Sequence, residues 1–162
     1  MLRIAFICVH NSCRSQMAEA FGRILGRELF LSLSAGTEKR EHINPDAVRI
    51  MKEIGIDMEL LQRPKLLPEI GKVDILITMG CNVRLPEIPF QYTEDWGISD
   101  PSGLNRDAFC FARDLIQEKV THLVTRIRSG ELPIRECSES NPLSKSIGKE
   151  SKSHEANTFG SK

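Results

Sequence analysis

The stretch CVHNSCRS, Cys8 to Ser15, decides the reading of this chain. Before it runs LRIAFI, Leu2 to Ile7, short and almost wholly apolar, the pattern of a strand buried on both faces of a parallel sheet. After it, Arg14 to Gly26 repeats apolar residues at helical spacing, with Met17, Phe21, Ile24 and Leu25 on one side. A cysteine thus closes a strand and an arginine opens a helix, with small polar residues between. In open parallel sheets, ligands sit beyond the C-terminal strand ends, where helices begin. Cys8 stands at that edge. A helix N-terminus offers free N–H groups and partial positive charge, which lower a thiol pKa and favour the nucleophilic thiolate. The amides of Val9, His10, Asn11, Ser12, Cys13, Arg14 and Ser15 can wrap a tetrahedral oxyanion. Arg14 adds a planar fork of donors, while Asn11 and Ser12 can bond back to the backbone and hold the loop tight. A bare Cys-x5-Arg spacing is common; its place between strand and helix gives it weight.

The rest of the chain repeats the alternation. LFLSLSAG, Leu29 to Gly36, reads as a second strand. Asn44-Pro45 starts a helix, with Asn as N-cap and Pro at the first helical position. That helix is expected to turn Ala47, Ile50, Met51 and Ile54 inward and to stop at Gly55. VDILITM, Val73 to Met79, is a third strand, and Tyr92 to Trp96 a short fourth. Asn105 to Arg128 is a long helix, carrying Phe109, Ala112, Ile116, Leu123 and Ile127 at helical spacing. The order implies a single α/β domain, a mostly parallel sheet covered on both faces in three α/β/α layers, over residues 1–135. From about Glu136 the chain turns Ser- and Lys-rich and loses apolar periodicity, so 136–162 is expected to be a disordered tail.

Composition narrows the function classes. Lys plus Arg is 22 and Asp plus Glu is 22, so no net charge favours a polyanion, and no nucleic-acid partner is expected. No segment reaches the ~20 apolar residues of a membrane span, and the N-terminal apolar run is too short for a signal peptide. The expected setting is a reducing cytoplasm, with no membrane partner. The five cysteines, Cys8, Cys13, Cys81, Cys110 and Cys137, include no Cys-x-x-Cys pair, which argues against a disulfide framework and against zinc. No metal or cofactor is expected; reactive thiols are. Attack by a thiolate on an oxyanion needs a proton donor for the leaving oxygen. DWGISDPSG offers Asp95 and Asp100, and the proline after Asp100 favours a defined, extended loop.

FICVHNSCRSQMAEA (Phe6–Ala20), SAGT (Ser34–Thr37) and EDWGISDPSG (Glu94–Gly103) together resemble the arsenate reductases built on the low-molecular-weight protein tyrosine phosphatase fold. The resemblance covers roughly Leu2 to Arg128. It implies a four-stranded, flavodoxin-like parallel sheet, Cys8 as nucleophile, Arg14 as oxyanion clamp and Asp100 as general acid. It implies arsenate or phosphate as the bound oxyanion, a monomer, and a role in arsenic resistance. Two enzymes share these parts. A phosphatase would hydrolyse a phosphocysteine on Cys8; a reductase needs a second thiol to attack the Cys8 sulfur. Cys81, in TMGCNVRLPEIP after the third strand, stands where the resembled reductases carry a redox cysteine, though a cysteine there also serves as apolar filler. Cys13 is a further thiol within the loop, Cys110 falls on the polar side of the last helix, and Cys137 lies in the tail. The resembled thioredoxin-coupled enzymes place a third redox cysteine immediately before a proline, where this chain has Leu85 before Pro86. That departure leaves thioredoxin and a small thiol both open as reductant. Ser102-Gly103 follow Asp100-Pro101 where tyrosine phosphatases carry cleft-lining aromatics, which favours a small inorganic oxyanion. A non-catalytic oxyanion-binding module is the third reading.

Overall fold

The computed structural model describes residues 1–38, 40–80, 83–84 and 87–135. In chain order it contains β1 (Leu2–Cys8), α1 (Arg14–Leu25), β2 (Phe30–Gly36), α2 (Pro45–Lys52), a 3-10 turn (Met58–Leu60), α3 (Leu67–Ile70), β3 (Ile75–Thr78), β4 (Tyr92–Asp95) and α4 (Arg106–Arg128). The four strands form one sheet in the order β2-β1-β3-β4, and every neighbouring pair is parallel. The parallel sheet and the helices over it bear out the α/β expectation.

Side-chain alternation along β1 explains the layers. Ile4 and Phe6 enter one core with α1, α2 and α4, where Met17, Phe21, Met51, Phe109 and Ile116 pack. Ala5 and Ile7 enter the other with Ala35, Leu76 and Ile70, flanked by Leu67, Val83, Ile88 and Phe90. Long helices therefore cover one face, while α3 with Val83, Ile88 and Phe90 covers the other. Phe6, Phe30 and Phe109 are fully buried, each contributing about 1.5–3 kcal/mol over exposure.

Asn44 caps α2 as expected, its Oδ1 accepting from the N–H groups of Asp46 and Ala47. Asn105 does the same for α4, accepting from Ala108 N–H. Three expectations fail at helix faces and ends. Helix α2 stops at Lys52, and Ile54, expected inward, is 42% exposed. Ile24, in the last turn of α1, is 53% exposed. Cys110 is half-buried against the larger core rather than on a polar face. Strand β3 is shorter than Val73 to Met79 because Asp74 is engaged beside it: its N–H donates to Arg3 O and its Oδ2 accepts from Arg3 N–H. No helix among the described residues is long and apolar enough to cross a membrane. Cys81, Leu85, Pro86, Cys137 and the expected tail, 136–162, lie outside the described residues.

Candidate active site

Strand β1 ends on Cys8, which is buried and pairs in register with Gly36 at the end of β2. The loop Val9–Ser15 then folds over Gly36. A Cβ on Gly36 would stand 2.6 Å from Val9 O and 2.9 Å from Asn11 N, so only glycine admits the loop this close. Asn11 takes a left-handed conformation, φ 49°, which asparagine tolerates better than most residues. That turn points Asn11 N–H at Cys8 Sγ (3.1 Å).

The Asn11 side chain is fully buried and makes three hydrogen bonds. Its Nδ2 donates to Ser15 Oγ (2.9 Å), and its Oδ1 accepts from Gln16 Nε2 (3.0 Å) and Lys65 N–H (2.8 Å). Ser15 Oγ lies 2.8 Å from Cys8 Sγ. A thiolate only accepts, so with Cys8 ionised the Ser15 hydroxyl is the donor. Two donors on the sulfur favour the thiolate. Helix α1 opens directly behind the loop, with Cys13 at its N-cap.

Arg14 is buried and fixed from across the sheet. Its Nη1 donates to Met79 O (3.1 Å), after β3, and to Ile98 O (2.6 Å), after β4. Its Nη2 stands 3.6 Å from Asp100 Oδ2. The two backbone anchors hold the guanidinium at the loop's opening, where its remaining donors can meet an oxyanion. Gly80 makes the anchor possible: it has φ +88°, and a Cβ there would stand 2.6 Å from Gly97 Cα.

Asp100 and Asp95 part company in space. Asp95 Oδ1 accepts from the Thr78 hydroxyl (2.8 Å) and from Gly97 N–H, so it caps the turn after β4. Asp100 lines the cleft with Cys8 and Arg14. Partial burial would raise its carboxyl pKa, but hydrogen bonds from Ser102 and the charges of Arg14 and His10 outweigh that and hold it below the usual range. Cys13 behaves in the opposite way. Burial, with Asp100 beside it, pushes its thiol up to about 12, so it stays protonated at neutral pH.

The cleft has a volume of about 950 Å³, far more than one tetrahedral oxyanion fills. Cys8 to His10 and Ser12 to Arg14 form one wall; Asp100 and Ser102 stand at another. Sequence reading missed the third side, Glu38 and Arg40 to His42, which the turn after β2 brings over the loop. It also missed the support behind Asn11. Glu19, fully buried on α1, accepts from the Ser34 hydroxyl, Lys65 Nζ (3.0 Å) and Arg23 Nη2 (2.8 Å). Gln62 Nε2 donates to Gln16 Oε1 (2.8 Å). A glutamate amid Met17, Ala18, Ala20 and Phe21 was the available signal, since a carboxylate on an apolar helix face requires buried partners.

Comparison with known proteins identifies the family. Residues 3–131 match the family described as low molecular weight phosphotyrosine protein phosphatase. The glutaredoxin arsenate reductase of Synechocystis sp. is 34% identical over 131 residues, covering 78% of this chain and 99% of that protein. Arsenate reductase 1 of Staphylococcus epidermidis is 36% identical, covering 76% of this chain and 96% of its own length. A solved arsenate reductase in the phosphate-binding state superposes with a TM-score of 0.71 at 34% identity, covering 78% of this chain and 99% of that one. With the family match running from residue 3 to residue 131 and relatives at 34% and 36% identity, the chain belongs to the low molecular weight phosphotyrosine protein phosphatase family.

Proposed function

We propose that this protein reduces arsenate to arsenite, with thiols supplying the electrons. The observation that carries the reading is the setting of Cys8: a buried sulfur receiving Asn11 N–H and facing Ser15 Oγ, on a cleft that Arg14 and Asp100 share. Named relatives that this chain covers over 96–99% of their length are arsenate reductases. The described cleft lining holds no Phe, Tyr or Trp to stack against a phosphotyrosine ring, which disfavours the phosphatase alternative.

The loop amides and Arg14 hold the arsenate oxygens while Cys8 thiolate attacks arsenic. An As–S bond forms and an As–O bond breaks. Asp100 is ionised in the empty site; the negative charge of arsenate beside it raises its affinity for a proton, which it passes to the leaving oxygen. A second thiolate then attacks Cys8 sulfur. The S–S bond forms, the As–S pair of electrons stays on arsenic, and As(V) becomes As(III). Cys81 is the proposed second thiol on its position after the third strand of the sequence; Cys13, held as a thiol, is poorly suited. An external thiol regenerates the pair. Leu85 stands where the resembled enzymes carry a third cysteine, so the disulfide must be reduced near Cys8, which favours a small thiol over a protein that docks at the surface. A resting thiolate needs a reducing compartment, which supports a cytoplasmic setting.

The test is arsenite production from arsenate with a dithiol, or with thioredoxin and its reductase, beside hydrolysis of an aryl phosphate. Arsenite formation, with a Cys8–Cys81 disulfide by peptide mass spectrometry after one turnover without reductant, is expected. Fast aryl phosphate hydrolysis without arsenite would replace this reading with the phosphatase.

A further inference from the structure

The charge around the cleft does not suit the anion the loop is built to hold. Among the described residues lining it, two arginines, Arg14 and Arg40, face three carboxylates, Glu38, Glu41 and Asp100. With both histidines neutral these side chains sum to −1, and the Cys8 thiolate makes the sum −2. Loop amides contribute partial charges, but a dianion entering this field meets net repulsion from the side chains. The groups able to change the balance near neutrality are His10 and His42.

His10 is the better placed. It is a member of the anion loop, two residues after Cys8. Its Nδ1 stands 3.5 Å from Glu38 Oε2. Glu38 is itself fixed against the loop, since its N–H donates to Val9 O (2.8 Å). On the other side the charge of His10 acts on the Asp100 carboxyl. The imidazole is 38% exposed, open enough to exchange protons with solvent.

Resting on the reading that the loop holds an oxyanion, we propose that His10 selects for anion charge: its imidazolium, steadied by Glu38 across the cleft mouth, adds a titratable positive charge to the cradle, so that the site binds a dianion more tightly as pH falls. The facing charged groups are Glu38 after β2, Asp100 after β4, Arg14 at the start of α1, and Arg40, Glu41 and His42 before α2. Of these side-chain types, imidazole is the one whose ordinary range lies between pH 5.5 and 8.5.

Calorimetric titration of the full-length Cys8→Ser protein with sulfate tests this. Sulfate stays a dianion over that range, and the substitution removes the titrating thiol. Affinity should weaken about tenfold from pH 5.5 to 8.5, the Coulomb effect of one charge ~6 Å from a dianion in water-like surroundings. Adding His10→Gln, or His10→Asn as a second neutral replacement, should flatten the dependence to within about twofold. Adding His42→Gln should leave it. A full slope in both His10 variants, its loss in His42→Gln, or a flat parent profile would overturn the proposal. Sulfate binding is read apart from arsenite formation, so loss of the reductase reading would leave this result standing, and the reverse.

Discussion

Removing the Ser15 hydroxyl isolates one contribution to the reactivity of Cys8. In Ser15→Ala the sulfur loses the oxygen 2.8 Å away and keeps only Asn11 N–H at 3.1 Å among these two donors. A hydrogen bond to a charged group is worth about 1.5–3 kcal/mol, and about 1.36 kcal/mol corresponds to one pKa unit. The pH midpoint for thiolate formation at Cys8 should therefore rise by about one to two units. The assay is the rate of iodoacetamide alkylation against pH, with fragment-ion mass spectrometry assigning the label to Cys8, because Cys13 lies on the same tryptic peptide, Ile4 to Arg14. The substitution also strands Asn11 Nδ2, which is buried and donates to Ser15 Oγ. A thermal melt should therefore show a loss of about 1–3 kcal/mol, which reports separately on the loop. A midpoint unchanged within a few tenths of a unit, in a variant that folds, would refute the view that Ser15 stabilises the thiolate.

Three further outcomes follow from the same geometry. Arg14→Lys exchanges a fork tied to Met79 O and Ile98 O for a point charge, so sulfate inhibition should weaken about 10- to 100-fold; an unchanged inhibition constant would remove Arg14 from the cradle. Asp100→Asn should slow adduct formation about 10²–10⁴-fold while sulfate binding holds or tightens, because the carboxylate opposite Arg14 is gone; a larger loss in Asp95→Asn would reassign the acid. Burial would raise the Glu94 carboxyl pKa, but hydrogen bonds from Trp96, Arg126 and Tyr92 outweigh it and lower the value. A depressed folded pKa stabilises above the ordinary glutamate value of about 4.3 and is lost as pH falls through the folded one. Glu94→Gln should thus destabilise the protein at pH 7, and the difference should shrink toward pH 3, read by urea unfolding with the single Trp96 as probe; a pH-independent difference would count against the linkage.

The sequence by itself determined what depends on local pattern. Apolar runs and helical spacing located the strands and helices, because the period of burial is written into neighbouring residues. Asn44 and Asn105 marked helix starts, because capping is settled within three residues. Cys8 and Arg14 were legible as a pair for the same reason: both belong to one short loop between a strand and a helix. Tertiary structure decided everything that closes over a distance. Arg14 is held by Ile98 O, 84 residues away, and no local pattern shows which carbonyl will receive it. The proline after Asp100 already set it apart from Asp95 in the sequence; the turn after β4 shows why, spending Asp95 on Thr78 and delivering Asp100 to the cleft. Ile24 and Ile54 continue an apolar spacing yet stay exposed, because periodicity records a face and not whether a layer covers it. Cys13 and Cys8 share a loop, yet burial beside Asp100 keeps the first a thiol, while Asn11 and Ser15 turn hydrogen-bonding groups toward the second. The charges of Glu38, Arg40, Glu41 and His42 look like an ordinary solvated turn until the parallel pairing of β1 with β2 carries them over the loop, and only then does the charge field at the cleft exist.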